Sequence, residues 1–297
     1  MPKSRDGRDG FTIIEVVLFI AISGFLIVGL MVGTSATVAR QRYNDSVQDL
    51  AEFFRREFSA VVNPENVRSD PIDDAMCLNK TNDGSSSVSG TSEDIEGPNR
   101  GRSDCLIYGR LITIGEINDG QQIFSYDVIG RELSNDDIVE ATTLNLALKA
   151  AEINVLVRKN LQAPDPSACP YQPARMHQYT PQWLATVEGT AANRPHLRVS
   201  ILIVRSPVNG SIHTLVYDNA IKVQDAIGPA CTTGTASSLL DPDTIASFAF
   251  AELDLCVGSD DIFALDGQRR NVRIGRDGHN SSAVAITDQD SEDNPCQ

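Results

Sequence analysis

Between Phe11 and Ala39 the chain runs for 29 residues without a Lys, Arg, Asp or Pro, and Glu15 is the sole charged residue among them. No other feature restricts the fold as much. As an α-helix this stretch would be about 43 Å long at about 1.5 Å per residue, more than the ~30 Å hydrocarbon core of a bilayer. An ordinary globular helix has only about 11–12 residues, so a soluble core helix does not fit the length. Thr37-Val38-Ala39 offers small residues of the kind found at a secretory cleavage site. A cleavable signal, however, has an apolar core of only about 7–15 residues. A membrane-spanning helix does fit. Lys3, Arg5 and Arg8 precede it, which places the short N-terminus in the cytoplasm and the bulk of the chain outside. Arg40 and Arg42 behind it weaken that bias without reversing it.

A plain signal anchor gives no reason for Glu15. A lone carboxylate costs on the order of 2.5–3.5 kcal/mol at the bilayer centre, and somewhat less towards an end. The residues before it suggest a partner. Gly10-Phe11-Thr12-Ile13-Ile14-Glu15 resembles the processing site of type IV prepilins and of the pseudopilins of type II secretion. The resemblance extends to about Val62 and rests on Gly, Phe, Thr and Glu at the positions where that family carries them. It implies that a prepilin peptidase cleaves after Gly10 and methylates the new N-terminal residue, Phe11. It also implies that Glu15 is an assembly residue and not a catalytic one. Cleavage would expose a cationic α-amine at the end of an apolar helix. Glu15 of one staggered subunit could neutralise that amine in its neighbour, and fixing register is the best-attested use of such a buried pair.

Gly24, Gly29 and Gly33 lie on the same helix. Small residues at four-residue spacing let helices approach closely in lipid, although Gly is also simply commoner in membrane helices. The helix-bending Pro usual in type IVa members is absent.

Beyond the membrane segment Tyr43, Val47, Leu50, Ala51, Phe54, Phe58, Val61 and Val62 repeat at the helical period. Asp45, Asp49, Glu52, Arg55, Arg56 and Glu57 occupy the remainder, and Pro64 ends the pattern. A continuous spine is therefore expected from Phe11 to about Val62. Its organisation would be a leader (1–10), a transmembrane and assembly helix (11–39), an amphipathic half (40–62) and an extracytoplasmic head (63–297). The head begins with a polar stretch and holds a Ser-rich loop at 79–104. Strand signals then dominate: 105–114 and 122–129 flank Asn118-Asp119-Gly120, and 196–205 and 211–217 flank Pro207-Val208-Asn209-Gly210. Ser247–Val257 alternates as one strand, and 271–275 with 283–287 forms a last pair; Asp136–Lys149 reads as helical or irregular. The expected fold class is α+β, a long N-terminal spine helix packed on a mainly antiparallel β-sheet head. Removing ten of the 297 residues would leave 287, long for a pilin, which suits a two-lobed or loop-elaborated head.

All six cysteines, Cys77, Cys105, Cys169, Cys231, Cys256 and Cys296, follow the helix, which suggests disulfides in an exported domain. Nearest-neighbour pairing gives Cys77–Cys105 and Cys231–Cys256, leaving Cys169–Cys296. The pilin resemblance implies an alternative, Cys256–Cys296, because pilins often clip their C-terminal region.

Net charge is −15, and −16 without the leader, which disfavours nucleic acid as a partner. Arg269, Arg270, Arg273 and Arg276 form the one basic cluster, read as a solvated strand face. His177, His196, His213 and His279 are scattered, and no H-E-x-x-H, G-x-S-x-G, Walker or G-x-G-x-x-G motif occurs. Asp288, Asp290 and Glu292 are weak calcium candidates without an EF-hand glycine, and no other cofactor is expected. The sequence therefore reads as a non-enzymatic subunit, a minor pilin or pseudopilin. Its partners would be other pilin subunits, prepilin peptidase and the membrane, and no motif specifies a surface ligand. A membrane-anchored extracellular binding protein that does not polymerise is the alternative.

Overall fold

A computed structural model describes residues 12–63, 105–115, 122–156, 158–159, 171–172, 175–178, 182–186, 197–223, 240, 242–259, 269–275, 281–287 and 295–296. One helix, α1 (Ile13–Val62), runs unbroken for 50 residues, about 75 Å at about 1.5 Å per residue. It starts two residues later than the sequence suggests, because Thr12 is its N-cap in extended conformation. At the far end the helix has no basic residue in its last turn. Arg205, from the sheet, supplies the missing donors: its Nη2 donates to the carbonyls of Val61 at 3.1 Å and Val62 at 2.6 Å. Helix termini leave such carbonyls without intrahelical partners, and a cation there also suits the helix dipole.

The two halves of α1 differ sharply in burial. From Tyr43 onwards the expected apolar residues are buried against the head, with Val62 half-buried, and Phe53 joins them. Glu57, expected on the solvated side, is instead fully buried. It lies one heptad after Leu50 and so shares the packing face, where polar groups on the sheet receive it.

Among the described residues the head contains a seven-stranded sheet, a four-stranded sheet and a two-stranded ribbon, and every described pairing is antiparallel. The largest is built from β1 (Cys105–Ile114), β2 (Gln122–Arg131), β3 (Asn154–Leu156), β6 (Arg175–Gln178), β8 (Val199–Arg205), β9 (Ile212–Tyr217) and β10 (Ala249–Phe250). Its order is β10-β9-β8-β1-β2-β3, with β6 also on β2. The hairpins β1–β2 and β8–β9 are the two read from the sequence. A two-stranded ribbon, β4 (Arg158–Lys159) with β5 (Tyr171–Gln172), stands apart. The second sheet runs β13-β12-β11-β7, from β7 (Gln182–Thr186), β11 (Leu253–Ser259), β12 (Arg270–Ile274) and β13 (Val284–Thr287). His177 lies on β6 opposite Ile123.

Alternation along the strands sorts the large sheet into two apolar faces. Ile112, Ile114, Ile123, Val199, Ile201 and Ile203 meet α1, and Leu253, Leu255, Val272 and Ile274 of the second sheet complete that core. Leu111, Tyr126, Val128, Leu202 and Leu215 face the other way. They are covered by α3 (Leu144–Ala150), by α4 (Pro242–Ser247) and by the segments around Leu133 and Ile221, while α2 (Asn135–Glu140) adds no buried residue. The architecture is α+β: a spine helix lies on antiparallel sheet, and the large sheet carries short helices on its other face.

Two local features tie this together. Gly109 follows a bulge in β1 at Tyr108, and a Cβ there would stand 2.1 Å from the Ile203 carbonyl oxygen, so only glycine lets β8 approach. Tyr43 pins the second sheet to the spine: its hydroxyl donates to the Val257 carbonyl at 2.8 Å and accepts from the Arg270 amide at 2.8 Å. Burial pushes this phenol above its ordinary pKa, with the Arg270 amide and charge opposing, so it keeps the proton that it donates.

Two expectations are corrected. Ser247–Val257 is not one strand: it ends α4, forms β10 on the large sheet, then crosses at Ala251–Glu252 to begin β11 in the second sheet. The split follows burial, since Phe248 fills the outer core while Leu253 and Leu255 fill the spine core. The second correction concerns Cys256, which bonds Cys296 with Cα atoms 5.5 Å apart, so Cys231–Cys256 and Cys169–Cys296 do not form. Both half-cystines are buried. The bond anchors the C-terminal tail to β11, the outcome implied by the pilin resemblance. Cys77, Cys169, Cys231 and the side chain of Cys105 lie outside the described residues. Given a closure of 40 residues, replacing both Cys256 and Cys296 by Ser should lower head stability by about 2–4 kcal/mol, read as a shift in urea midpoint.

Candidate functional site

The N-terminal half of α1 is a long apolar surface that the described head residues leave uncovered. Its side chains are exposed from Ile13 at 83% through Phe25 at 80% to Val38 at 43%, and the first buried residue is Ala39. About 30 Å of hydrocarbon takes ~20 helical residues, so Ile13–Val32 suffices to cross it. The helix is long and apolar enough to span a membrane. Three hydroxyls at the end of the segment are satisfied locally. Thr34 Oγ1 donates to the Leu30 carbonyl at 2.9 Å, Ser35 Oγ to Met31 at 2.8 Å, and Thr37 Oγ1 to Gly33 at 3.0 Å. Hydroxyls that back-bond this way do not need water, which is what a lipid environment demands.

Glu15 sits at the start of this surface and is bound to its own chain. Its Oε2 accepts from the Thr12 amide at 2.9 Å and from the Thr12 hydroxyl at 3.1 Å, while the Glu15 amide donates to Thr12 Oγ1 at 3.4 Å. This reciprocal capping box satisfies two donors of the first helical turn, and the carboxylate also faces the positive end of the helix dipole. The sequence reading used Thr12 only as part of a family motif. Its own signal, Thr-x-x-Glu before an apolar run, is legible without any family. Gly10 and Phe11 lie outside the described residues. Gly24, Gly29 and Gly33 have open space where a Cβ would be, so each is available to a second helix.

A buried ionic cluster, missed in the sequence, fixes the spine to the head. Ser125 Oγ donates to Glu57 Oε2 at 2.6 Å. Arg110 Nε lies 3.6 Å from the same oxygen, and its Nη1 lies 2.5 Å from Asp127 Oδ1. Arg110 and Asp127 are direct cross-strand partners on β1 and β2. The signal was present as Arg110 and Asp127 inside otherwise apolar strands, on the same face as Ile112 and Ile123. This cluster holds the head to the helix.

Of the remaining candidates, only some lie among the described residues. Arg273 Nε is held by Glu252 at 2.7 Å and Asp254 at 2.9 Å, so the basic cluster is partly neutralised in place. His213 lies on β9, far along the chain from Arg273, and His196, His279 and Arg276 lie outside the described residues, as do Asp288, Asp290 and Glu292. Among the described residues no group of three His, Cys, Asp or Glu could hold a metal ion. Compared with known proteins, the chain matches no family model, no curated protein and no solved structure.

Proposed function

We propose that this chain is a prepilin-like structural subunit, cleaved after Gly10, methylated at Phe11 and assembled through α1 into a type IV pilus or a type II pseudopilus. The observation that carries the reading is the division of one continuous helix: an uncovered apolar half joined without a break to a half buried in a head. A subunit that only needed anchoring could attach its head by a flexible linker. A rigid spine transmits the position of the membrane half to the head, which stacking subunits require. The head lies outside the cytoplasm, and its six cysteines and long loops suit a minor subunit at or near the tip, in initiation or adhesion.

The capping box favours a second reading, because it gives Glu15 a role within a single chain: a membrane-anchored binding protein that never polymerises. Shearing cells of the native host and probing the filament fraction for this chain separates the two. The proposed subunit is found there together with the other pilins. The anchored protein stays wholly with the membranes.

A further inference from the structure

The tip of the β8–β9 hairpin carries Asn209-Gly210, the sole Asn-Gly pair in the chain, and both residues are exposed. Gly210 adopts φ +72°, a conformation that suits a residue without Cβ. The Asn209 side chain folds back over the turn. Its Oδ1 accepts from the Ser211 amide at 3.0 Å and from the Ser211 hydroxyl at 2.6 Å. Ser211 Oγ is also 2.6 Å from Nε2 of His213, whose ring packs edge-on against Phe250 with centroids 5.7 Å apart. Since the hydroxyl proton is directed at Asn209, the network assigns a proton on Nε2 that is donated to Ser211 Oγ. Two donors thus converge on one amide oxygen, and His213 polarises one of them. That arrangement stabilises negative charge developing on the oxygen.

We propose that Asn209 is a self-modifying site, an intramolecular deamidation promoted by Ser211 and positioned by His213. The Gly210 nitrogen gives up its proton to solvent and attacks Cγ of Asn209. The new N–Cγ bond places negative charge on Oδ1, where the Ser211 amide and hydroxyl hold it. The Cγ–Nδ2 bond then breaks, and the nitrogen takes a proton from solvent and leaves as ammonia. Water opens the resulting succinimide to aspartate or isoaspartate, so water is the only co-reactant. One contact opposes the reaction: the Gly210 amide donates to the Ser206 carbonyl at 2.9 Å and must release it before attack. Opening one bond at an exposed hairpin end is a local event that leaves the sheet intact. The product carries a carboxylate where the tip was neutral.

Peptide mapping of the full-length protein in detergent micelles, incubated at neutral pH, measures conversion of Asn209. The wild type is expected to convert, with Ser211→Ala and His213→Phe each slower by about fivefold, the rate equivalent of one ordinary hydrogen bond. Ser211→Thr, which keeps the hydroxyl, should restore the wild-type rate, and all four chains should convert equally once unfolded in urea. The proposal is overturned if folded Ser211→Ala converts as fast as the wild type. It is equally overturned if Asn209 stays intact in the folded protein while converting in urea.

Discussion

Replacing Glu15 by Gln is expected to remove the protein from sheared filaments while leaving it inserted in the membrane. The substitution is informative because Gln serves at the third helical position of a capping box as Glu does. Both Thr12 contacts can therefore persist, and only the charge is lost. In the proposed assembly that charge meets the α-amine of a neighbouring Phe11, and removing one partner of such a buried pair costs about 3–5 kcal/mol. A loss of that size lowers subunit association on the order of a hundredfold or more, since each ~1.4 kcal/mol is tenfold. Quantitative blotting of filament and membrane fractions measures it. Were the capping box the whole role of Glu15, the Gln variant would behave as wild type in both fractions.

Replacing Arg110 by Met should cost the head about 3–5 kcal/mol, because it removes the cation shared by two buried carboxylates. Met approximates the aliphatic part of the arginine stem, so the cost comes from charge and not from a cavity. The double replacement Glu57→Gln and Asp127→Asn in the Arg110→Met background should recover most of the loss, since no buried charge is then left in the cluster. Urea unfolding followed by tryptophan fluorescence and circular dichroism gives both values. An Arg110→Met midpoint equal to wild type would mean that the cluster does not fasten the spine.

Much of this fold was legible because its longest element has the plainest period. The spacing of Tyr43, Val47, Leu50, Phe54, Phe58 and Val61 defines the buried face of α1, and the turn residues mark the β1–β2 and β8–β9 hairpins. Glu57 escaped because a charged residue on a packing face is assigned to solvent until its partners are known, and those partners lie 53 and 68 residues further on at Arg110 and Ser125. Ser247–Val257 misled because alternation shows which residues face inward but not which sheet they face. The Cys256–Cys296 bond could not be read from spacing, since nearest neighbours in sequence are not nearest in the fold. At the candidate site the sequence singled out Glu15 as a residue needing a partner. It missed that Thr12 already supplies one within the same chain.

The most direct test of the account is the mass of the mature N-terminus, from chain purified out of host membranes and sequenced by tandem mass spectrometry. The account predicts a protein that begins at Phe11, carries one methyl group on its α-amine and lacks Met1 through Gly10. A chain that retains Lys3, Arg5 and Arg8 ahead of an intact Gly10–Phe11 bond would contradict it, because the amine proposed as the partner of Glu15 would then never exist.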